Sequence, residues 1–265
     1  MPHMLILGMG YTASRLASRL RAQGWRITGV RRSADAETLA FDDDSAVRAA
    51  IAQASHILSS VPPEAEADPV LTRYAAAIAA APAIWTGYLS STGVYGDAAG
   101  AWVDESSATG SGRRAARAQA DADWGALRPD MRRFRLPGIY GPGRSALDRV
   151  RAGRAHRIDL PDQIFSRAHV DDIVAGVIAS IHAGPPGIYN LSDDLPCAQN
   201  RLIEEACAIL CQPVPPLLTL EEAQLSPMAR SFYAENRRVA NGRARRLLGW
   251  LPRYPTYREG LRACL

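Results

Sequence analysis

The stretch "LILGMGYTASRLA", residues 5–17, decides the fold of this chain. It continues an apolar, strand-like run, "HMLIL", through a glycine turn and directly into a helical pattern. Gly8 permits a tight turn, Gly10 lets the backbone approach a pyrophosphate, and the small Ala13 keeps helix and strand close together. Because the N–H groups at a helix N-terminus bind anions, this arrangement predicts a dinucleotide-binding turn. Its candidate cofactor-binding residues are Gly8, Gly10, Tyr11, Thr12 and Ala13.

Strand-like and helical patterns alternate along most of the chain. The predicted strands are residues 3–7, 26–30, 37–41, 56–61, 83–91 and 131–137, and the predicted helices are residues 12–24, 45–54, 70–81, 111–127 and 170–184. This alternation predicts an α/β fold with a Rossmann-like, doubly wound parallel sheet. We expect an NAD(P)-binding domain of residues 1–145 with 168–192. A small substrate-side lobe of residues 146–167 with 193–265 would complete one compact unit.

The composition limits the classes of function. The chain has 265 residues, 47% of them hydrophobic and 22% charged, which suits a globular protein with a sizeable core. No apolar run reaches the roughly 18 residues that cross a bilayer, and "MPHMLILGMG" does not resemble a signal peptide. We therefore expect a cytoplasmic location and no membrane partner. A net charge of +4, with acids among the arginines, does not indicate a nucleic-acid partner, and the cysteine spacing predicts no metal site.

All 31 basic residues are arginines, so the chain contains no lysine. A genome-level composition bias explains most of this feature. It still has a chemical consequence, because Schiff-base chemistry, a P-loop lysine and a lysine-assisted proton relay are all excluded.

The second predicted strand ends in "GVRRS", and this ending bears on the choice of cofactor. An NAD site usually places a carboxylate about 20 residues after the glycines, where it accepts a hydrogen bond from the ribose 2′-OH. The chain has Arg31 and Arg32 there instead, and guanidinium groups suit a 2′-phosphate. We therefore predict NADP rather than NAD. Asp42 either contacts the adenine or caps the helix that starts near Ser45.

Five further motifs follow the glycine turn in order: "SSTGVYGD" (90–97), "LPGIYGPG" (136–143), "RAHVDDIVAGV" (167–177), "GIYNLSDD" (187–194) and "RRLLGWLPRYPTYREGL" (245–261). With them the chain resembles the extended short-chain dehydrogenase/reductase superfamily, and within it the atypical branch of the NAD(P)-dependent epimerase/dehydratase family. The resemblance covers nearly the whole chain. It implies a small-molecule substrate, with a sugar nucleotide as one candidate, and suggests a homodimer.

The resemblance also assigns site residues. The family uses a Ser or Thr after the fifth strand, which corresponds to Ser91, and a Tyr-x-x-x-Lys pair on the next helix. The best register puts Arg113 and Arg117 at the Tyr and Lys positions, so the family's proton relay is absent. The family's nicotinamide-side loop corresponds to residues 137–143, and its cofactor-binding part here is Pro137, Gly138 and Ile139. The segment that contains His169, Asp171 and Asp172 is mainly structural in the family.

Two functions remain open from the sequence. The first is an NADP-dependent oxidoreductase or epimerase with a displaced acid, for which the candidates are Tyr95, Tyr140, Asp97 and Glu105. An arginine stabilises an oxyanion but donates a proton poorly; Arg117 could instead take over the ribose contact, and Arg113 could bind a substrate carboxylate or phosphate. The second function is a non-catalytic NADP(H)-binding sensor or regulatory protein. Another set of arginines either meets a substrate diphosphate or forms a solvated helix face: Arg237, Arg238 and Arg243.

Overall fold

The computed structural model describes residues 1–64, 67–110 and 115–265. Its strands in chain order are β1 (His3–Leu7), β2 (Arg26–Arg31), β3 (Thr38–Ala40), β4 (His56–Ser59), β5 (Trp85–Ser91), β6 (Trp102–Val103), β7 (Met131–Leu136), β8 (Gly138–Tyr140), β9 (Arg157–Ile158), β10 (Arg167–His169), β11 (Gly187–Asn190), β12 (Leu217–Leu218) and β13 (Arg238–Val239). Its α-helices are α1 (Tyr11–Arg21), α2 (Asp44–Gln53), α3 (Pro69–Ala79), α4 (Ala115–Leu127), α5 (Ala146–Arg151), α6 (Val170–His182), α7 (Gln199–Ile209), α8 (Pro227–Ser231), α9 (Gly242–Leu248) and α10 (Tyr257–Arg262). Short 3₁₀ helices cover Thr92–Tyr95 and Phe232–Ala234.

Seven strands form one parallel sheet in the order β11–β7–β5–β4–β1–β2–β3. The central strand β1 is buried along its whole length, as its unbroken apolar sequence requires in a sheet covered on both faces. Strand order reverses beside β1, and ligands of open α/β sheets bind at the carboxyl ends of the strands near such a point. The prediction of a doubly wound parallel sheet is confirmed.

Alternate side chains of β1 enter two separate cores. Met4 and Ile6 pack with apolar residues of α1, α6 and α9 on one face of the sheet. Leu5 and Leu7 pack with those of α2, α3 and α4 on the other face. Because successive strand residues point to opposite faces, four consecutive apolar residues supply both layers.

A third core lies beside the sheet. It joins Tyr140, at the end of β8, to apolar residues of α5, α7 and α10. Asp172 on α6 holds the C-terminal segment of the chain in place. Its carboxylate accepts the backbone N–H groups of Arg253 at 2.6 Å and Tyr254 at 3.1 Å. His169 accepts the N–H of Asp171 at its Nδ1 and caps α6. These contacts give the "RAHVDDIVAGV" segment a structural role.

Several predicted boundaries are corrected. The third strand covers residues 38–40 rather than 37–41, and the fifth begins at Trp85 rather than at residue 83. The described part of the helix predicted at 111–127 runs from Ala115, while residues 111–114 lie outside the described residues. The edge strand β11 was not predicted as a strand, because four residues are too few to show a periodicity. Among the described helices, none has the length and apolar character to cross a membrane.

Asp68 connects the N-terminus of α3 to α4. Its Oδ1 accepts the N–H groups of Val70 and Leu71, and its Oδ2 accepts the indole N–H of Trp124 at 2.8 Å. Asp43 gives a matched case, because it caps α2 through the N–H of Ala46 but is exposed. Asp68 therefore combines a helix cap with a buried hydrogen bond.

We predict that Asp68→Ala lowers the free energy of unfolding by about 2–4 kcal/mol, because it removes a cap and leaves the buried Trp124 N–H without an acceptor. Asp43→Ala, which removes a cap alone, should cost about 1 kcal/mol. Urea unfolding of both variants at neutral pH measures the difference. Equal losses would contradict the role assigned to the Asp68–Trp124 hydrogen bond.

Candidate functional site

The turn between β1 and α1 has an open helix N-terminus. Gly8 has a φ of +95°, and a Cβ at this position would lie 2.8 Å from Cγ2 of Val61, so only glycine fits. Gly10 is the N-cap of α1 and no side chain caps this end. A Cβ on Gly10 would meet no atom within 4 Å. The N–H groups of the first helical turn therefore face free space, which is what a bound pyrophosphate requires.

A cleft of about 940 Å³ begins at this turn. It passes the carboxyl end of β5 and continues between the sheet and the segments around α5, β10 and α8. Of the predicted cofactor-binding residues, the cleft is lined by Gly10, Tyr11, Thr12, Pro137, Gly138 and Ile139. Ala13 is fully buried between helix and sheet, which is the packing role the sequence predicts for it. Tyr11 joins the glycine turn to the nicotinamide-side loop. Its hydroxyl donates to the carbonyl of Pro142 at 3.0 Å.

The two arginines at the end of β2 are exposed. Arg31 lies 3.4 Å from the carboxylate of Asp35, and Arg32 lies 2.6 Å from that of Glu64. Exposed ion pairs of this kind are worth about 0–1 kcal/mol, so a more highly charged anion can replace either carboxylate.

The structure corrects one interpretation of Asp42. The cap of α2 is Asp43, whereas Asp42 is exposed and forms an ion pair with Arg73 at 2.7 Å. The Asp42 carboxylate thus has a partner on α3, and the helix-capping interpretation was wrong by one residue.

Two adjacent serines at the end of β5 have different environments. Ser90 is buried and its hydroxyl donates to Asp121 on α4 at 2.6 Å. Ser91 is half-buried and lines the cleft, and its Oγ accepts the N–H of Gly93 at 3.1 Å. Accepting this bond leaves the hydroxyl hydrogen of Ser91 free to point into the cleft. Of the two hydroxyls, that of Ser90 is therefore already donated inside the protein, whereas that of Ser91 is available at the cleft.

Asp121 fixes α4 to the sheet through buried ion pairs. Arg135 donates to it from Nη2 at 2.8 Å, and Arg133 donates from Nη1 at 3.0 Å. Four residues before Asp121, Arg117 lines the cleft. Arg117 thus stands on a helix that Asp121 ties to the sheet, and it lines the same cleft as Ser91. Arg113 lies outside the described residues.

Three of the four acid candidates do not line the cleft, and the hydroxyl of the fourth, Tyr140, is buried. The hydroxyl of Tyr95 is buried and donates to Asn190 Oδ1 at 2.7 Å, and burial raises the pKa of this tyrosine. Burial likewise raises the pKa of Tyr140, whose hydroxyl lies against Gly260 of α10. Asp97 and Glu105 are not among the cleft-lining residues and accept backbone N–H groups.

The C-terminal arginines are not a solvated helix face. Arg237 lines the cleft and bonds to Glu235 at 2.9 Å and to the carbonyl of Gly96. Arg238 lies in β13, which pairs with β6, and only Arg243 is on a helix.

The substrate-side end of the cleft contains residues that the sequence analysis missed: Arg149, Arg154, His156, Arg167 and Tyr233. They come from four separate segments, so no local spacing connects them. The single indication of this cluster in the sequence was an excess of arginine over acidic residues around α5. It is difficult to recognise because every basic residue of the chain is an arginine.

The open turn at the strand-order reversal, with a cleft that leads past Ser91, defines a Rossmann-fold protein of the dinucleotide-binding class. No family model matches the chain. It is 39% identical to a functionally unknown conserved protein from Silicibacter pomeroyi DSS, with a TM-score of 0.88 over 100% of this chain and 98% of that one. The chain therefore belongs to one family with that protein, and the short-chain dehydrogenase/reductase resemblance is confirmed in the fold.

Two further proteins are similar. The human epimerase family protein SDR39U1 (isoform 2), solved with NADPH, has a TM-score of 0.78 at 17% identity over 98% of this chain and 97% of its own. A 3-diazoavenalumate denitrifying reductase from a Streptomyces species is 32% identical over 139 residues. That match spans 48% of this chain and 45% of the reductase, so it covers less than half of either protein.

We predict that Ser90→Ala and Ser91→Ala separate stability from function. Ser90→Ala removes a buried bond to a charged acceptor and should lower the free energy of unfolding by about 1.5–3 kcal/mol. Ser91→Ala removes a bond at the edge of the cleft and should cost less than about 1 kcal/mol. Chemical denaturation of the two variants provides the measurement. A larger loss for Ser91→Ala would reverse the roles given to the two hydroxyls.

Proposed function

We propose that the chain is an NADP-dependent oxidoreductase or epimerase that acts on a carbonyl or sugar-nucleotide-like substrate and lacks the Tyr-x-x-x-Lys pair. One observation carries this proposal: a single cleft joins the open N-terminus of α1 to Ser91, Arg117 and the segment 144–167. Cofactor and substrate can therefore meet beside Ser91. Residues 146–167 with 193–265 form the proposed substrate-side lobe.

The residues around the turn fit a nicotinamide dinucleotide. The backbone N–H groups of Tyr11 and Thr12 would bind the pyrophosphate at the uncapped helix end. Arg31 and Arg32 would bind the ribose 2′-phosphate in place of their present carboxylate partners. Asp42 would lie on the adenine side, paired with Arg73.

The middle of the cleft would hold the reacting groups. A bound NADP(H) supplies or accepts a hydride. Pro137, Gly138 and Ile139 would form the wall beside the nicotinamide and exclude water from it. Ser91 would donate its free hydroxyl hydrogen to the substrate oxygen. Arg117 would hold the nicotinamide ribose and stabilise negative charge on that oxygen, since a guanidinium group is always charged.

A second function has a specific observation in its favour. The chain has no lysine, and Tyr95 and Tyr140 turn their hydroxyls into the protein. A protein that binds NADP(H) and senses it without turnover would show this combination. The two functions share the cofactor site and differ in whether substrate is consumed.

We predict that the chain binds NADPH more tightly than NADH in calorimetric titrations. Arg31→Asp should weaken NADPH binding by about 10- to 100-fold, because one charge-assisted hydrogen bond to the 2′-phosphate is lost and repulsion is added. Its NADH affinity should stay close to the wild-type value. Arg19→Asp on α1 makes the same charge change at another exposed arginine, away from the end of β2, and serves as the control. An unchanged cofactor preference in Arg31→Asp would refute the phosphate assignment.

We also predict that the chain oxidises NADPH in the presence of some members of a panel of aldehydes, ketones and sugar nucleotides. The decrease in NADPH absorbance measures this reaction. With such a substrate, Ser91→Ala should lower kcat by about 100-fold, as removal of a single oxyanion donor does. NADPH affinity should be unaffected by this change. Tight NADPH binding without turnover on any compound would favour the sensor, and failure to bind either cofactor would exclude both functions.

A further inference from the structure

The cleft carries more positive than negative side chains. Among the residues that the structure describes, six arginines line it: Arg117, Arg144, Arg149, Arg154, Arg167 and Arg237. The two lining carboxylates, Asp148 and Glu235, are already engaged. Asp148 accepts the backbone N–H of Ser145 in a capping box, and Glu235 pairs with Arg237 at 2.9 Å. The excess charge is therefore not neutralised by the walls of the cleft.

The turn after α5 brings two of these arginines together. Gly153 has a φ of +62° and donates its N–H to the carbonyl of Val150, and Arg154 donates its N–H to the carbonyl of Arg149 at 2.9 Å. This pair of bonds is a Schellman motif, which reverses the chain at the end of the helix. Arg149 and Arg154 consequently lie side by side at the cleft.

Neither arginine has an acidic partner. Within residues 1–64, 67–110 and 115–265, Arg149 and Arg154 form no ion pair with a carboxylate. Partial removal of Arg149 from water lowers its pKa, and repulsion from Arg167 lowers it further. The side chain nevertheless remains exposed in the cleft. Arg167 itself donates to uncharged acceptors, among them the carbonyl of Phe165 and Oε1 of Gln199, each at 3.0 Å.

Two further polar side chains lie in the part of the cleft that contains Arg149 and Arg154. His156 is half-buried in the cleft wall, and burial together with the charge of Arg149 lowers its pKa. Burial raises the pKa of Tyr233, and the nearby charges of Arg149 and Arg167 act in the opposite direction. Like charges held together without a counterion destabilise the folded chain, and an anion placed between them removes that cost.

We propose that Arg149, Arg154 and His156 form a binding site for a phosphate or carboxylate group of the substrate. The proposal rests on the proposed function, because it places the substrate's anionic end in the same cleft, with its reacting carbon toward Ser91. Bidentate binding of an oxyanion suits the planar guanidinium groups, and the His156 ring lines the cleft near Arg149. The substrate is therefore an anionic compound rather than a neutral one.

The test uses the full chain saturated with NADPH, so that the cofactor occupies its own phosphate-binding groups. Phenyl phosphate, benzoate and the neutral benzyl alcohol are titrated at constant ionic strength, since salt screens exposed charges. The readout is the ring-proton NMR shift of His156, assigned by its loss in His156→Gln. We expect a saturable shift with at least one of the two anions and none with the alcohol. The anion that binds more tightly distinguishes a phosphate from a carboxylate.

The variants decide whether the shift reports this site. Arg149→Gln and Arg154→Gln should each weaken binding by about tenfold, the loss of one charge-assisted hydrogen bond. Arg151→Gln is the matched control, because Arg151 is on the same helix end, is exposed and lies outside the cleft. Thermal unfolding of each variant shows that it is folded. No saturable shift with either anion, or an equal loss in Arg151→Gln, would overturn the inference.

The intrinsic fluorescence of NADPH in the same samples separates the two proposals. Binding of NADPH without binding of either anion rejects the anion site and leaves the proposed function standing. Binding of an anion by a chain that does not bind NADPH supports the anion site and rejects the proposed function.

Discussion

The close contact between the glycine turn and the strand-end at Val61 is the constraint on which the rest of the structure depends. Gly8 can approach Val61 because it has no side chain, and Ser60 secures the contact by donating its hydroxyl to the carbonyl of Gly8 at 2.7 Å. The turn then delivers α1 with its N-terminus uncapped toward the cleft. A larger residue at Gly8 would displace both the helix and the anion-binding end, so fold and cofactor site share one local requirement.

A second set of contacts holds the chemistry in place. Asp121 binds Ser90, Arg133 and Arg135, so the active-site helix α4 is tied to β5 and β7 by charge rather than by apolar packing alone. Removing one partner of such a buried group is costly, because the remaining charge loses its compensation. This network holds the helix that carries Arg117 against the strand that ends in Ser91. The proposed ribose-binding role of Arg117 depends on this fixed placement.

The sequence predicted the parts of the structure that arise from local patterns. The unbroken apolar run of β1, the glycine turn and the helical face of α1 are all contained within about 20 residues, so periodicity and residue size were sufficient. The resemblance singled out Ser91, but the buried contact of Ser90 could not be predicted, since only the fold shows which hydroxyl meets Asp121. Helix capping by Asp43 rather than Asp42 likewise depends on a backbone geometry that three consecutive aspartates do not reveal.

The part of the cleft around Arg149 and Arg154 could not be predicted from the sequence for a related reason. Arg149 and Arg154 become neighbours through the left-handed Gly153, and Tyr233 reaches them from a segment about 80 residues away in sequence. Among 31 arginines, those without a carboxylate partner can be recognised only in three dimensions.

The most direct measurement of the central claim is a crystal structure of the chain with bound NADPH. We expect its pyrophosphate at the N–H groups of Tyr11 and Thr12, its 2′-phosphate against Arg31 and Arg32, and its nicotinamide beside Ser91. Electron density for the pyrophosphate away from the N-terminus of α1, or a nicotinamide ring remote from Ser91, would contradict the account.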